Sequence, residues 1–221
     1  MMSSKASYSL KRVTMLAVSI AITLIVVAFV HNPLAIASPT GTVSQTISTG
    51  TLATDIKNDS NVSVPSPSFS MSSAVITTSC QTTTSTYGTN NQRIYVDNPG
   101  DADNGWTLSI AATDGGTALW ESGVDNYDFD DPAGAGCANG QLSLDPTAST
   151  LVMENGTPTN VTKGAADAFN SNSSITLLTA GAASDDIWRG YLTGIGVSQT
   201  IPSSTPAGSY SIDLTQTVVS N

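Results

Sequence analysis

From residue 43 onward, short apolar runs alternate with clusters of Gly, Asn, Asp, Ser and Pro. Such runs, bounded by turn-forming residues, are typical of β-strands, and no long segment has the apolar period of an amphipathic helix. One short helix is predicted at 164–170, residues 57–70 are predicted to be a loop, and residues 79–92 are a polar stretch of low complexity. The predicted strands are 43–47, 51–56, 74–78, 93–96, 106–112, 118–121, 141–144, 150–153, 174–179, 192–201 and 210–219.

The clearest alternation lies in the last predicted strand. Tyr210, Ile212, Leu214, Gln216 and Val218 fall on one face, and the residues between them are hydroxylic or acidic. One large face and one polar face are what a half-buried antiparallel strand requires.

Many short strands of this kind in a chain of this length predict an all-β fold. We expect one domain, residues 38–221, built as an antiparallel β-sandwich of Ig-like or Greek-key type. Ser and Thr supply 54 of its residues.

The first 37 residues have the organisation of an export signal. Lys5, Lys11 and Arg12 form a basic beginning, residues 13–30 are almost wholly apolar, and a small-x-small cleavage site ends at Ala37. A competing interpretation is an uncleaved membrane-anchor helix, with 13–30 as the only contact with the membrane. Both interpretations place the remainder outside the cell, so an extracellular or cell-surface location is predicted.

The exported part is strongly acidic. All 17 acidic residues lie in it, opposed by Lys57, Arg93, Lys163 and Arg189, so its net charge is −13. This charge argues against nucleic acid as a partner, because no basic stripe exists to displace counterions from phosphates. The one histidine, His31, lies in the signal, which excludes His-dependent catalysis and His-ligated metals from the exported part.

Two cysteines, Cys80 and Cys137, both lie in the exported part. An even number of cysteines in an oxidising compartment predicts one disulfide, and two buried thiols are the alternative. Because this disulfide would close a long loop, it would contribute roughly 4 kcal/mol to the free energy of unfolding in the chain-entropy model.

A short motif follows the acidic turn after the strand 93–96. It begins at Gly105 and places Trp106, Leu108 and Ile110 on one face of the next strand, which predicts that Trp106 is a core anchor. Near the carboxyl terminus, a second motif runs from Pro206 through Gly208 and Tyr210 into the alternating strand.

Together these motifs resemble the WxL domain of Gram-positive surface proteins, over residues 43–221. The first is similar to a strand ending in V-x-D followed by G-W-x-L-x-V, and the second is similar to P-x-G-x-Y followed by an alternating strand. Near the carboxyl terminus the chain departs from the pattern, since Gln216 stands where the second Trp would be and Val218 where the Leu would be.

The resemblance implies non-covalent association with peptidoglycan, so a cell-wall polymer is the expected partner, with other surface proteins as further partners. Its wall-binding motif corresponds to Trp106, Leu108, Tyr210 and Gln216. The residues themselves predict only an exported β-sandwich with a tryptophan in its core and a Pro-Gly turn before its last strand.

A second resemblance covers residues 43–52, which are similar to the start of mature TasA-like and camelysin-like subunits. Those subunits build biofilm fibres by exchanging strands. This resemblance implies a different function, a structural subunit of an extracellular fibre or an adhesin.

Two acidic loops are candidates for calcium. In the second loop, four carboxylates lie within seven residues: Asp125, Asp128, Asp130 and Asp131. Their mutual repulsion favours a bound cation, although neither loop has EF-hand spacing. No other cofactor is predicted. The acids and amides of the first loop are better explained as turn caps, and they are Asp97, Asn98, Asp101, Asp103 and Asn104.

Evidence for catalysis is weak. Glu121 and Glu154 are the two glutamates, and nothing in the sequence marks a pair of carboxylates placed across a cleft. Trp120 and Trp188 offer possible sugar-stacking platforms, although aromatic residues near strand ends are more often core residues. The prediction is therefore a non-catalytic surface protein.

Overall fold

The computed structural model describes residues 15, 17, 19, 44–131, 139–170 and 173–221. The chain has two compact units, Met1–Thr46 and Ile47–Asn221, and every described strand lies in the second. The strands are β1 Ala53–Lys57, β2 Gln81–Tyr87, β3 Arg93–Pro99, β4 Trp106–Ala112, β5 Trp120–Ser122, β6 Asp125–Tyr127, β7 Gln141–Asp145, β8 Thr150–Asn155, β9 Val161–Lys163, β10 Asp167–Ala168, β11 Ile175–Ala180, β12 Ile187–Thr193, β13 Ile195–Ile201 and β14 Leu214–Ser220.

These strands form antiparallel sheets. The first sheet has the order β1-β3-β12-β8, the second β10-β7-β13-β2 and the third β14-β4-β11-β9, and β5 and β6 form a separate hairpin. Most neighbours within a sheet are not consecutive in the chain, so the chain passes repeatedly between sheets. The predicted all-β, antiparallel sandwich class is confirmed.

The core is aromatic and lies between the sheets. Trp106 on β4 and Trp188 on β12 are fully buried, and their ring centroids are 5.1 Å apart, so this pair joins the third sheet to the first. Phe129 and Phe169 form a second buried pair at 5.2 Å. Buried aromatic pairs contribute about 0.5–1.5 kcal/mol beyond the area that they bury.

Strand β2 corrects the prediction for 79–92, which gave no strand there. Its alternate residues Thr83 and Tyr87 are buried, while Thr82, Thr84 and Thr86 are exposed. Threonine has a high β-propensity because its branched side chain fits the pleated surface, so a hydroxylic face supports a strand without an apolar run.

The prediction of one strand at 192–201 is also wrong. Gly194 adopts φ +82°, and the chain turns there from β12 in the first sheet to β13 in the second. Continuous alternation in the sequence cannot reveal this corner, because a glycine with positive φ changes the direction of the chain without changing the pattern.

The predicted helix at 164–170 does not form. Residues Asp167–Ala168 pair with β7 instead, and Phe169 is fully buried. Gly164 lies so close to β11 that an added Cβ would stand 1.8 Å from the Thr176 carbonyl oxygen. Tertiary packing thus overrides the local helix propensity.

The predicted strand at 74–78 is absent, and so is the described part, residues 44–47, of the strand predicted at 43–47; both segments are exposed. Strands β6 and β9, of three residues each, were not predicted. Strand β4 has the predicted bounds, whereas β14 begins at Leu214 rather than at residue 210.

Of the predicted signal region, the structure describes only Met15, Ala17 and Ser19, which are helical and exposed. The cleavage site and most of 13–30 lie outside the described residues. In the described part of the chain, no helix combines the length and hydrophobicity needed for a membrane span. The signal, its boundary at residue 37 and the extracellular location stay predictions.

Candidate functional site

The two amino-terminal residues of the predicted wall-binding motif are core residues. Trp106 and Leu108 have no exposed surface, and the Trp106 indole Nε1 is buried without a hydrogen-bond partner in the structure. Their role is to pack the third sheet against the first, as predicted for Trp106. Neither side chain can contact a polymer directly in the folded protein.

Gln216 connects strands from all three sheets. Its Oε1 accepts from the Tyr87 hydroxyl at 2.9 Å, and its Nε2 donates to Thr54 Oγ1 at 2.8 Å. Thr54 Oγ1 donates in turn to the Tyr95 carbonyl oxygen at 2.8 Å. Burial raises the pKa of Tyr87 well above its usual value, so its hydroxyl remains a donor at any ordinary pH. Gln216 is therefore a polar tie between sheets.

Tyr210, the fourth residue of the motif, belongs to a half-buried aromatic cluster. Its ring meets Tyr127 edge-on at 5.0 Å, and Tyr127 stacks on Trp120 at 6.1 Å. The Trp120 Nε1 donates to the Oε1 of buried Gln199 at 2.9 Å. Tyr210 donates to the Pro206 carbonyl oxygen at 3.0 Å, which fixes the turn before the last strand.

This cluster forms part of a groove with a volume of about 740 Å³. One wall is residues 67–77, which we call the strap, and the other is residues 205–214, which we call the arm. The floor includes Tyr87, Ile110 and Leu142, all from the core. Its size is typical of ligand-binding clefts.

The groove runs beside two open sheet edges. Strand β2 is the edge of the second sheet, and β14 is the edge of the third. The strap is hydrogen-bonded along the β2 edge: the Ser72 amide and Oγ each donate to the Thr84 carbonyl oxygen at 2.9 Å, and Ser85 Oγ donates to the Ser70 carbonyl oxygen at 2.6 Å. The Phe69 ring lies 5.2 Å from the Tyr87 ring. Open edges are sites where another extended chain can add.

The arm is held by backbone hydrogen bonds. The Ser211 and Glu121 backbones exchange two hydrogen bonds at 3.0 Å, and the Thr113 amide donates to the Asp213 carbonyl oxygen at 2.9 Å. Gly208 is required for close approach, since an added Cβ would stand 2.3 Å from Ser122 Oγ.

The groove is nearly free of charge. Asp213 is the one Asp, Glu, Lys, Arg or His among the residues that line it, although the predicted exported part has a net charge of −13. An uncharged, partly apolar groove on an acidic protein suits a neutral, extended ligand better than a cationic or anionic one.

The second acidic loop is partly described. Asp128 Oδ1 accepts from the Asp130 amide at 3.1 Å, Asp130 is buried, and the Asp131 amide donates to the Gly140 carbonyl oxygen at 3.2 Å. Among the described residues, no group of three or more Asp, Glu, His or Cys side chains is placed to hold a metal ion. Residues 132–138 lie outside that search, so the calcium site at Asp125, Asp128, Asp130 and Asp131 stays a prediction.

The first acidic loop uses its polar groups for the fold, as predicted. Buried Asn98 Oδ1 accepts from the Asp101 and Ala102 amides at 3.1 Å each, and Asp101 Oδ2 accepts from the Leu52 amide at 3.2 Å. Asp97 forms an ion pair with Arg189.

No described cysteine is free, and Cys137 lies outside the described residues. The disulfide between Cys80 and Cys137 therefore stays a prediction.

Sequence reasoning missed the groove and the strap. The segment 57–70 was predicted to be a loop and 74–78 a strand, and neither pattern indicates that residues 67–77 form one wall of a cleft. The available signal was the pair of neighbouring apolar residues Val75 and Ile76, which are 77% and 59% exposed in the structure.

No family model, curated protein or solved structure matches this chain. The fold and the groove define it as an all-β protein with a cleft between two open sheet edges. The resemblances named above remain expectations.

Proposed function

We propose that this chain is an exported, non-catalytic cell-surface protein that associates with the cell wall. The groove is the observation that carries the proposal. It is uncharged apart from Asp213, it includes Tyr127 and Tyr210, and Ser and Thr residues line it on both walls. Aromatic rings with neighbouring hydroxyls offer a sugar chain apolar faces and hydrogen-bond partners.

The groove takes the place of the motif residues as the contact surface, since Trp106 and Leu108 are buried. Tyr210 remains a contact residue, and Gln216 acts behind the groove by tying β14 to β1 and β2. A disulfide between Cys80 and Cys137 would stabilise the exported protein.

Substitution Tyr210→Ala is expected to weaken pelleting with washed cell walls about tenfold, because it removes one aromatic wall of the groove. Tyr191→Ala is the matched control: Tyr191 is also half-buried, but it lies on the first sheet against Tyr95 and Arg93. The measurement is the bound fraction as a function of wall concentration. An equal loss of pelleting in the two variants would contradict the role of the groove as the contact surface. Wild-type protein that stays in the supernatant would contradict wall association itself.

A second candidate is a structural subunit of an extracellular fibre. It is favoured by residues 44–50, which are exposed, uncharged and without secondary structure, with Ile47 86% exposed. An exposed segment of this kind in one copy, and open sheet edges beside a groove in another, are complementary parts of a heterologous contact.

Ile47→Asp is expected to abolish filament formation by this second mechanism, because it places a charge on a segment that must be buried in a neighbour. Val124→Asp is the control, since Val124 is 95% exposed in the hairpin between β5 and β6. Electron microscopy and sedimentation of protein produced from the full chain measure the result. Filaments formed equally well by both variants would contradict the role of this segment.

A further inference from the structure

Three Asn-Gly pairs occur in the sequence, and the structure places them in different surroundings. They are Asn104-Gly105, Asn139-Gly140 and Asn155-Gly156. An asparagine that precedes a glycine can react with its own backbone, because glycine has no Cβ to hinder the approach of its amide nitrogen to the asparagine side chain. Which of the three pairs is placed to react depends on the local structure.

In two of the three pairs the glycine is buried against neighbouring backbone. An added Cβ on Gly105 would stand 2.2 Å from the Ala180 carbonyl oxygen, and the Gly105 amide donates to the Ala102 carbonyl oxygen at 3.2 Å. An added Cβ on Gly140 would stand 2.1 Å from the Asp128 carbonyl oxygen. Because ring closure must rotate the backbone at the glycine, such close packing opposes the reaction at both pairs.

Asn155-Gly156 is the pair in which both residues are exposed. Asn155 is the last residue of β8, which is an edge strand of the first sheet. The Gly156 amide donates to Asn155 Oδ1 at 2.9 Å, so the side chain is folded back onto the amide that follows it. Because Oδ1 is bonded to Cγ, the same conformation brings the Gly156 nitrogen close to Cγ, the atom that it would attack.

The groups around this pair fix the nucleophile and leave the departing nitrogen unbound. The Thr157 amide donates to Asp185 Oδ2 at 2.5 Å, and Trp188 Nε1 donates to the Thr157 carbonyl oxygen at 3.1 Å, so the backbone that follows Gly156 is fixed. Within the described part of the chain, Asn155 Nδ2 makes no hydrogen bond. Proximity of the reacting atoms is thus combined with a leaving group that no contact retains.

We propose that Asn155 is a deamidation site, at which the folded protein converts its own asparagine into aspartate and isoaspartate. The Gly156 nitrogen loses its proton and forms a bond to Asn155 Cγ. The bond from Cγ to Nδ2 breaks, and Nδ2 leaves as ammonia with that proton. The cyclic imide then adds one water molecule: addition at Cγ gives aspartate, and addition at the backbone carbonyl carbon gives isoaspartate.

The two products differ in their effect on the fold. Aspartate adds one negative charge beside Glu154 and opposite Arg189. Isoaspartate also adds one carbon atom to the backbone before Thr157, which displaces the Thr157 carbonyl oxygen from the indole of Trp188. Trp188 is fully buried against Trp106, so accumulation of isoaspartate is expected to lower the melting temperature by about 2–4 °C.

Mass spectrometry tests the site directly. Protein produced from the full chain is incubated in mildly alkaline buffer, reduced and digested, and each peptide is examined for the change of an amide into an acid. Trypsin and a glutamate-specific protease together separate the three pairs into different peptides, which are 94–121, 122–154 and 155–163. We expect the peptide 155–163 to be modified about tenfold faster than the other two, or more.

Two variants and one condition serve as controls. Asn155→Gln is expected to remove the modification from the peptide 155–163, because the longer side chain would have to close a larger ring. Asn160→Gln changes the other asparagine of the same peptide and is expected to retain the modification. In denaturant the three pairs are expected to react at similar rates, because only the asparagine and the glycine then determine the rate.

The inference fails if the folded protein modifies the three pairs at equal rates, since the structure then does not select Asn155. A rate at Asn155 that is much lower in the folded protein than in denaturant would mean that the fold protects this residue, which also overturns the inference. Modification that persists in Asn155→Gln and disappears in Asn160→Gln would place the reaction at Asn160. An unchanged melting temperature in a sample rich in isoaspartate would contradict the expected effect on the contact between Thr157 and Trp188.

Discussion

Replacing Trp106 with alanine is expected to lower the free energy of unfolding by about 3–5 kcal/mol. The indole has no exposed surface and packs on Trp188 across two sheets, so its loss leaves a cavity at the centre of the core. Chemical denaturation of wild type and variant, followed by tryptophan fluorescence and far-UV circular dichroism, measures the difference.

The variant Trp106→Phe tests how much of this loss is due to the volume of the side chain. Because the Trp106 Nε1 has no hydrogen-bond partner in the structure, phenylalanine forfeits volume but no bond, and we expect a cost of about 1–2 kcal/mol. Wall pelleting by the folded fraction of either variant should equal that of the wild type. Much weaker pelleting by a folded Trp106→Phe protein would indicate that Trp106 does contribute to wall binding.

Gly105→Ala is expected to be comparably severe, at about 3–5 kcal/mol. Gly105 has φ +91°, and an added Cβ would stand 2.2 Å from the Ala180 carbonyl oxygen, so the substitution combines backbone strain with a clash against β11. The clash is with backbone, which cannot move without disturbing the pairing of β11 with β4 and β9.

Gly123→Ala separates these two causes. Gly123 also has positive φ, at +65°, but no atom lies within 4 Å of its added Cβ. It should therefore show the conformational cost alone, about 1 kcal/mol. Similar losses at the two glycines, measured by thermal unfolding, would mean that close packing at Gly105 contributes little.

Alternation along a strand predicts which candidate site residues are buried, but it does not predict what each of them contacts. The pattern around Trp106 predicted burial, because a strand with one large face must cover that face. The same alternation cannot distinguish a contact residue from a core residue, so the motif Trp106, Leu108, Tyr210 and Gln216 proved to hold two core residues, one groove residue and one tie between sheets.

The amino-acid sequence by itself determined the all-β class, the bounds of β4 and the burial of Trp106, because period-two alternation and turn residues are local properties of the chain. Tertiary structure alone decided the corner at Gly194, the threonine strand β2 and the groove between strap and arm. These features depend on which strands become sheet edges and on which loops pack against one another. Both depend on contacts between residues that are far apart in the chain, and no local sequence pattern encodes such contacts.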